Sequence, residues 1–322
     1  MPDVEIRPFS DEDLDDAAQL LAARHRRHRS AEPLLPERFE DSAAALEQVE
    51  VLWRHDAATG ACCLRGGRLV GYVIGVPRDP DVWGENVWVD YAGQAVEEAE
   101  DARDLYAAAA AGWVAQGRKH HFVQVPASEA ALVDSWFRVG FGQQQADGLR
   151  EVSAHTAVGL PSGLEIRTPT AEDVEALLPV DLALPRQHRS APVFGVRPLP
   201  TEEQLRAEWA KTLSSDEETL LVGYQDGKPV ACWALVDSEH APQFHGLHAP
   251  DRACYLKFAA TLPDARGRGI GVALTEASFA WAAEEGYDAI GTDWRVTNLL
   301  ASRFWPRRGF RTTFLRLHRQ IQ

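Results

Sequence analysis

The sequence is poor in cationic side chains, in cysteine and in long apolar runs, and each shortage excludes a class of protein. Lys and Arg number 33 against 48 Asp and Glu, so the net charge of the 322 residues is −15. Such a surface repels phosphate backbones and anionic lipids, and we therefore predict neither a nucleic acid nor a membrane as a partner. No apolar run reaches about 18 residues, which excludes a membrane-spanning helix.

Cysteine is scarce as well. The four cysteines are Cys62, Cys63, Cys232 and Cys254, and no two of them form a C-x-x-C pair. The spacing predicts no metal site and no disulfide framework, and reduced, buried thiols are expected. The first residues show no basic stretch followed by an apolar one, the pattern of a secretory signal, so the sequence predicts a cytoplasmic protein.

The chain repeats itself at an offset of 160 residues. Three pairs of segments match at this spacing: 5–14 with 165–174, 28–31 with 188–191, and 67–70 with 227–230. Three separated matches at one offset are very improbable by chance, so the repeat indicates a tandem duplication.

Near the end of each copy the offset changes to 169. There Trp136, Gly140 and Phe141 match Trp305, Gly309 and Phe310. The change from 160 to 169 indicates a net insertion of nine residues in the second copy. Gly and Pro cluster near residues 155–163, where we place the join. The expected domains are therefore residues 1–157 and 163–322.

Each copy shows the same predicted order of elements. A strand and a capped helix are followed by a hairpin, a strand, a long helix, a strand, a shorter helix and a last strand. The long helices are expected at 95–116 and 269–285, and the strands before and after the second of them at 255–262 and 289–293. This order predicts an α/β fold in which a mixed central sheet carries helices on both faces.

A glycine-rich turn connects a predicted strand to the long helix of the second copy. Residues 263–271 read PDARGRGIG, with glycines at 267, 269 and 271. Amide N–H groups at a helix start attract anions, and glycine lets a phosphate come close to the backbone. The turn is no Walker loop and lacks the third glycine of a dinucleotide fingerprint, so alone it is a weak signal.

Two segments together resemble a known family. Residues 263–271 are similar to [Q/R]-x-x-G-x-[G/A], the acetyl-CoA signature of the GNAT superfamily of N-acetyltransferases. Residues 298–310 read NLLASRFWPRRGF and resemble the second signature of that family, N-x-x-A-x-x-[L/F]-Y-x-K-x-G-F. The resemblance covers the second copy and, through the duplication, the first. The tandem arrangement is similar to that of mycothiol synthases.

The resemblance implies a fold and a cofactor site. Each copy would be a GNAT fold with a V-shaped splay between its fourth and fifth strands, and acetyl-CoA would lie in the splay of the second copy, with no metal. Its pyrophosphate would bind the amides after Arg266, and its pantetheine arm would pair with the strand before that residue. The acceptor amine would attack the thioester directly. The implied cofactor-binding residues are Ala260, Thr261, Leu262, Arg266, Gly267, Arg268, Gly269, Ile270, Gly271, Asn298 and Trp305.

The catalytic residues depart from the pattern of the family. Trp305 stands where many members have the tyrosine that protonates the leaving thiolate, and an indole cannot deliver that proton near neutral pH. Tyr255 is the replacement we name, although a core tyrosine with a satisfied hydroxyl is the alternative. The candidate bases are His240 and Asp293, with Glu239, His245 and His248 close to the first of them in sequence. Ordered water could also serve.

A repeated tripeptide lies after the first helix of each copy. His28-Arg29-Ser30 recurs as His188-Arg189-Ser190, in the region that shapes the acceptor pocket in this family. The identity indicates either a shared role in that pocket or a helix C-terminus where cations favour the dipole.

The first copy has lost the features of the cofactor turn. An offset of 169 places Glu97, Glu100 and Ala102 where the second copy has Arg266, Gly269 and Gly271. Carboxylates at a phosphate site are unfavourable. We therefore expect a first domain without cofactor that is structural or forms one wall of the acceptor site.

The sequence thus predicts an acetyl-CoA-dependent N-acetyltransferase acting on a primary amine of a small molecule. An amino sugar, an antibiotic or a polyamine would each fit as the amine. A non-catalytic acyl-CoA-binding module and a protein or peptide acetyltransferase are the alternatives. Assembly is open between a monomer with pseudo-twofold symmetry and a homodimer.

Overall fold

A computed structural model describes residues 4–152 and 159–322. Residues 153–158, which include the first four residues of the predicted join at 155–163, lie outside the described residues. The chain forms two compact units. The first comprises the chain up to Asp147, residues Gly246–His248 and residues Thr312–Gln322. The second comprises Gly148–His245 and Ala249–Arg311.

The first unit contains two groups of strands. Strands β1, β2, β3 and β5 form an antiparallel sheet in that order, while β4 pairs with β6 in parallel and β6 pairs with the last strand of the chain, β13. The strands are β1 (Val4–Pro8), β2 (Thr59–Arg65), β3 (Arg68–Gly75), β4 (Asn86–Val89), β5 (Gln94–Val96), β6 (His120–Pro126), β7 (Gly142–Glu151), whose final residues belong to the second unit, and β13 (Arg311–Gln320). The helices are α1 (Leu14–Ala31), α2 (Ser42–Trp53), α3 (Pro80–Trp83), α4 (Asp101–Ala115) and α5 (Ala130–Arg138).

The second unit has a mixed sheet in the order β12, β11, β10, β9, β8. Only the pair of β11 and β12 is parallel within this run of strands. The strands are β8 (Leu164–Arg167), β9 (Glu218–Gln225), β10 (Lys228–Asp237), β11 (Ala253–Thr261) and β12 (Ala289–Arg295). The helices are α6 (Val174–Arg189), α7 (Glu202–Thr212), α8 (Ile270–Glu284) and α9 (Ala301–Arg307).

The start of the first helix is built alike in both units. Asp13 receives hydrogen bonds from Arg7 at 2.8 Å and from the backbone of Ser10 at 2.9 Å. In the second unit Asp173 receives the same bonds, from Arg167 at 2.9 Å and from the backbone of Thr170 at 2.8 Å. Each aspartate closes a capping box and pairs with the strand that leads into the helix. The local chemistry of the duplication is therefore kept.

Strand registers show the duplication as well. The register between β3 and β5 in the first unit is the same as the register between β10 and β11 in the second. The two registers coincide when each residue of β3 is aligned with the residue of β10 that lies 160 positions later. The pairs are Gly71–Val96, Tyr72–Ala95 and Val73–Gln94 in the first unit, and Ala231–Thr261, Cys232–Ala260 and Trp233–Ala259 in the second.

The predicted long helix 95–116 of the first copy is wrong at its start. Residues Gln94–Val96 form strand β5, which pairs with β3, and the helix begins only at Asp101. The alanine-rich stretch favours helix throughout, but pairing with β3 overrides this preference at its first residues. Helices α2 and α7 were not predicted.

The four thiols lie inside the units. Cys62, Cys63, Cys232 and Cys254 are all free and buried. Burial raises the pKa of Cys62 to about 12 and that of Cys63 to about 11. Among the described residues, no helix has both the length and the apolar character needed to cross a membrane.

Candidate functional site

Strands β11 and β12 separate halfway along their length. They pair in parallel from Ala253–Ala289 to Leu256–Thr292, and β11 then continues to Thr261. A bulge explains where they part, because Lys257 has no counterpart on β10 between the residues that face Leu256 and Phe258. Bulges bend a strand and re-aim it. The second unit therefore contains the predicted V-shaped opening.

The glycine-rich turn lies at the open end of this V. Gly267 and Gly269 have φ of 77° and 81°, in the left-handed region that favours glycine, and α8 begins directly after them at Ile270. The first N–H groups of any helix have no acceptor within the helix, and the dipole makes this end positive. Arg266 holds the turn in place, with hydrogen bonds to the Thr261 carbonyl at 3.1 Å and to the Gln187 side chain at 3.2 Å.

A cavity of about 460 Å³ fills the V and reaches this turn. Nine of the eleven predicted cofactor-binding residues line it: Ala260, Thr261, Arg266, Gly267, Gly269, Ile270, Gly271, Asn298 and Trp305. Leu262 and Arg268 lie in the same turn but do not line the cavity.

Sequence reasoning missed several lining residues, among them Leu184, Gln187, Trp233, Ala259 and Phe304. Leu184 and Gln187 are one turn apart on α6, so helical periodicity would have shown that they share a face.

Asn298 has a structural role in the cavity wall. It is 3% exposed, and its side-chain oxygen accepts a hydrogen bond from the backbone N–H of Leu300 at 3.2 Å. Its own carbonyl accepts from Ser302 at 2.9 Å. Such an arrangement satisfies donors at the start of α9 and fixes the helix that carries Trp305.

The predicted catalytic residues fall into two places. Tyr255 on β11 donates its hydroxyl hydrogen bond to Asp293 on β12, and the tyrosine is 1% exposed. Phe244 stacks on the Tyr255 ring with 5.0 Å between centroids. His240 lies instead on the exposed turn Ser238–His240 after β10.

Of the other histidines of this loop, His248 belongs to the first unit. It is 1% exposed and packs there against Tyr91 and Phe314.

The equivalent turn of the first unit is shorter and acidic. Residues 97–100 separate β5 from α4, which is four residues, whereas residues 262–269 separate β11 from α8, which is eight. Glu97 forms an ion pair with Arg68, and Glu100 forms one with Arg138 at 2.6 Å. The carboxylates are thus held by arginines of their own unit.

Side chains close the first unit between β5 and β6. Gln94 on β5 donates to the Gln124 carbonyl on β6 at 2.8 Å and accepts from Trp136 at 3.1 Å. Arg24, which is 1% exposed, donates to the backbone carbonyls of Tyr91 and Gln94. Two carbonyls, that of Tyr91 before β5 and that of Gln94 on β5, therefore bond to an arginine of the same unit.

A second, smaller cavity of about 230 Å³ lies in the second unit, bounded by α6, α7 and the central strands. Asp181 lines it and accepts a hydrogen bond from the Trp209 indole. Burial raises the pKa of Asp181 to about 6. The folded protein therefore binds a proton here more tightly than the unfolded chain, so this group contributes stability below about pH 4 that is lost as the pH rises through about 6.

We expect Asp181→Asn to stabilise the protein at neutral pH. The amide keeps an oxygen for Trp209 but carries no charge to bury, so the free energy of unfolding should rise by about 2 kcal/mol. The gain should vanish near pH 4. Urea unfolding across this pH range measures it, with the exposed Asp216→Asn as control. Equal pH dependence in wild type and Asp181→Asn would contradict the assignment.

In the part of the chain that the structure describes, no three His, Cys, Asp or Glu side chains group so as to hold a metal ion.

The second unit thus combines a mixed sheet, two strands that part, and a glycine-rich helix start beneath the opening. The sequence model of the Acetyltransferase (GNAT) family matches residues 186–310. This range includes β11, β12, the glycine-rich turn between β11 and α8, and the segment that begins at Asn298. The match identifies a GNAT acetyltransferase domain within residues 186–310.

Solved structures share this fold over the whole chain. A GCN5-related N-acetyltransferase from Sphaerobacter thermophilus is 16% identical, with a TM-score of 0.59, 100% of this chain and 97% of that one covered. A tandem GNAT protein from the clavulanic acid biosynthesis pathway is 14% identical, with a TM-score of 0.52 and coverage of 99% and 98%. The glucosamine N-acetyltransferase region of a fungal multi-domain β-N-acetylglucosaminidase has a TM-score of 0.55 at 14% identity, with coverage of 99% and 38%. No curated protein sequence matches the chain.

Proposed function

We propose that the chain transfers the acetyl group of acetyl-CoA to a primary amine of a small molecule, and that only its second unit binds the cofactor. The observation that carries the proposal is the cavity of about 460 Å³ between β11 and β12, which ends at the glycine-rich start of α8. Such a cleft offers a strand edge at one end and amide N–H groups at the other. Acetyl-CoA has an amide-bearing arm and a pyrophosphate to match them.

The pyrophosphate would bind the turn from Gly267 to Gly271. Two glycines with positive φ expose backbone N–H groups at the positive end of α8, which is how proteins bind phosphates without many cations. Arg266 and Arg268 add positive charge beside the turn. The chain as a whole carries a net charge of −15, so this turn would be a local positive region on an otherwise acidic protein.

The pantetheine arm would lie along β11 beyond Leu256. There β12 has left the strand, so the backbone groups of residues near Ala260 and Thr261 face the cavity on that edge. Buried backbone N–H and C=O groups need partners, and the two amides of pantetheine can supply them. The apolar walls, which include Trp305, would hold the rest of the arm.

The acceptor amine would meet the thioester where the strands part. Asp293 is the next residue after the last paired position of β12, and Tyr255 orients its carboxylate by a hydrogen bond. We propose that this carboxylate attracts the cationic amine and that placing amine and thioester together supplies most of the rate.

Titration of acetyl-CoA followed by turnover tests the proposal. Calorimetry should show one site per chain, because the first unit closes the equivalent space with Arg24 and Gln94. Release of CoA should then depend on an added amine, for which glucosamine, spermidine and an aminoglycoside are the first probes. Mass spectrometry should find an added acetyl group on the amine.

The outcomes separate the proposed function from its alternatives. Binding without transfer to any amine would favour an acyl-CoA-binding module. Transfer only to peptide N-termini or lysines would favour a peptide acetyltransferase. No binding would contradict the proposed function as a whole, and two sites per chain would contradict the loss of the site in the first unit.

A further inference from the structure

The smaller cavity of the second unit, of about 230 Å³, lies next to the larger one. Asp181 of α6 lines the smaller cavity, whereas Leu184, about one helical turn later, lines the larger. On β11 the change comes between adjacent residues, because Phe258 lines the smaller cavity and Ala259 the larger. The two cavities are therefore neighbours that share a helix and a strand.

The strand registers place the smaller cavity beside the proposed acceptor site. Glu218 of β9, which lines this cavity, pairs with Val236 of β10, and Val236 pairs with Tyr255 of β11. Residues that pair across strands point to the same face of a sheet, and neighbouring strands are about 4.8 Å apart. The backbone of Glu218 is therefore about 10 Å from that of Tyr255, whose hydroxyl bonds to Asp293.

The charges that line the smaller cavity are mostly negative. Asp181, Glu208 and Glu218 each contribute a carboxylate, and the one ammonium group among the lining residues, that of Lys257, pairs with Glu218. Asp181 accepts a hydrogen bond from the Trp209 indole, but no Lys, Arg or His of residues 4–152 and 159–322 pairs with it. A cationic ligand would balance this charge.

Apolar side chains form most of the remaining wall. A cavity of about 150 Å³ with apolar walls admits a benzene ring, so this one has room for a ring or for a chain of several carbons. A sugar would leave hydroxyl groups without partners against such a wall, which is unfavourable. The apolar residues of the wall include Pro185, Leu205, Trp209, Leu220 and Phe258.

We propose that the smaller cavity holds the far end of the acceptor, so that the acceptor is an amine joined through an apolar chain or ring to a second cationic group. The second cation would pair with Asp181, and the apolar part would lie against the wall of the cavity. The reacting nitrogen would lie at Asp293. The inference deepens the proposed function and rests on it for the transfer step, whereas binding to this cavity can be measured by itself.

Octamethylenediamine is the probe, because an apolar chain of eight methylene groups joins its two ammonium groups. Calorimetry should show that Asp181→Asn lowers its affinity about 10- to 100-fold, the usual effect of removing the charge from a charged hydrogen bond. The amide still accepts from Trp209, and we expect the variant to be the more stable protein at neutral pH, so unfolding does not explain the loss. The exposed Asp216→Asn is the control and should bind the diamine as wild type does.

Turnover should show the same residue as a change in KM. With octamethylenediamine, Asp181→Asn should raise KM by the factor by which it lowers affinity, while kcat and the affinity for acetyl-CoA change less than about threefold. A residue that holds the far end of the acceptor affects ground state and transition state alike. A structural role in the acceptor site would lower kcat instead.

Two related amines test the second cation and the apolar chain separately. Octylamine has the same chain with one ammonium group, so it should bind wild type and Asp181→Asn equally and about as weakly as the diamine binds the variant. Spermidine has as many atoms between its terminal nitrogens as octamethylenediamine, with an ammonium group in place of one methylene. It should bind wild type about tenfold more weakly than the diamine, because the apolar wall does not solvate that charge.

The pH dependence of binding distinguishes Asp181 from the other carboxylates. Burial raises the pKa of Asp181 to about 6, so the affinity of wild type for the diamine should fall as the pH drops below about 6. Glu208, Glu218 and Lys257 line the cavity in the variant as well. The affinity of Asp181→Asn should therefore lack this fall.

Each result decides the proposal. It would be overturned if wild type bound no diamine, if Asp181→Asn bound it as tightly as wild type, or if octylamine bound wild type as tightly as the diamine. Binding that depends on Asp181 without acetylation of the diamine, by a protein that acetylates another amine, would also overturn it. If wild type binds no acetyl-CoA or transfers to no amine, the proposed function fails, whereas binding of the diamine through Asp181 would still show the cation site.

Discussion

Gly271→Glu should abolish acetyl-CoA binding by the second unit without unfolding it. Gly271 is the second residue of α8 and lines the cavity. A Cβ here would lie 3.6 Å from the Trp233 ring and 3.7 Å from the Phe304 ring, which is ordinary van der Waals contact. The fold can therefore accept a side chain, while the cavity cannot accept a carboxylate where two phosphates should bind.

The expected loss is at least about 100-fold in affinity, or about 3 kcal/mol, because like charges in a half-buried site repel strongly. A glutamate in the first turn favours the helix dipole, so the melting temperature should not fall. Calorimetry with acetyl-CoA and a thermal scan measure both. Gly271→Ala should retain most of the affinity, since its methyl group fits.

Gly112→Glu is the matched control. Gly112 lies on the exposed face of α4 in the first unit, and a Cβ there has no atom within 4 Å. The same change of residue and charge should leave acetyl-CoA binding untouched. If Gly271→Glu bound acetyl-CoA as wild type does, the cofactor site would have to be sought elsewhere.

Nine residues that line the cavity of the second unit could be predicted from the sequence alone, because their determinants are local. Glycines with positive φ, a helix start and an asparagine before a short helix each leave a pattern within a few residues. The expected lining residues Gly267, Gly269 and Asn298 accordingly lie together in the structure. The predicted strand before the turn and the helix after it also agree with β11 and α8 within two residues at either end.

The side chains that close the space between β5 and β6 in the first unit could not be predicted by the same reasoning. Its acidic turn was visible in the sequence, but the residues that close the space come from three distant elements. Arg24 comes from α1, Gln94 from β5 and Trp136 from α5. Nothing in the local sequence of Arg24 distinguishes a buried arginine from a solvated one in a helix that is otherwise rich in arginine and histidine.

The strand at the end of the chain shows a further limit. Repeat spacing predicted contiguous halves, whereas residues 312–322 group with the first unit because β13 pairs with β6, Phe314 facing Pro126. Two copies with similar last strands offer similar edges, and which strand takes which edge depends on packing over the whole unit. The assignment of separate functions to the two domains stays a prediction.

Gly291→Val should destabilise the second unit because a ring from a distant loop fills the space above this glycine. A Cβ at Gly291 would lie 2.6 Å from the ring of Phe244, which is fully buried and stacks on Tyr255. In the first unit the same place in the sheet holds Phe122, which faces Trp88 across the strands and stacks on it at 4.3 Å. In each unit, one phenyl ring thus covers an aromatic side chain of the parallel strand pair. The ring belongs to Phe122 of β6 in the first unit and to Phe244 of the loop before β11 in the second.

Because the Phe244 ring occupies the space above Gly291, substitutions at these two positions should not have additive effects on the free energy of unfolding. Overpacking should cost Gly291→Val about 2–3 kcal/mol of unfolding free energy, and Phe244→Ala should cost about 3–4 kcal/mol through the cavity it leaves. In the Phe244→Ala background the valine meets no ring, so the double variant should be more stable than the sum by at least about 1 kcal/mol. Urea unfolding of the four proteins measures the coupling.

The same cycle bears on catalysis. Phe244 touches the face of Tyr255, whose hydroxyl holds Asp293, so it acts as a positioning residue for the proposed acceptor site. Gly291→Val should therefore lower kcat about tenfold or more while acetyl-CoA affinity stays near that of wild type, because the cofactor turn lies at the far end of β11. Additive unfolding energies would show that Phe244 does not occupy the space above Gly291, and an equal loss of acetyl-CoA affinity would show that the aromatic stack supports the whole V rather than its acceptor end.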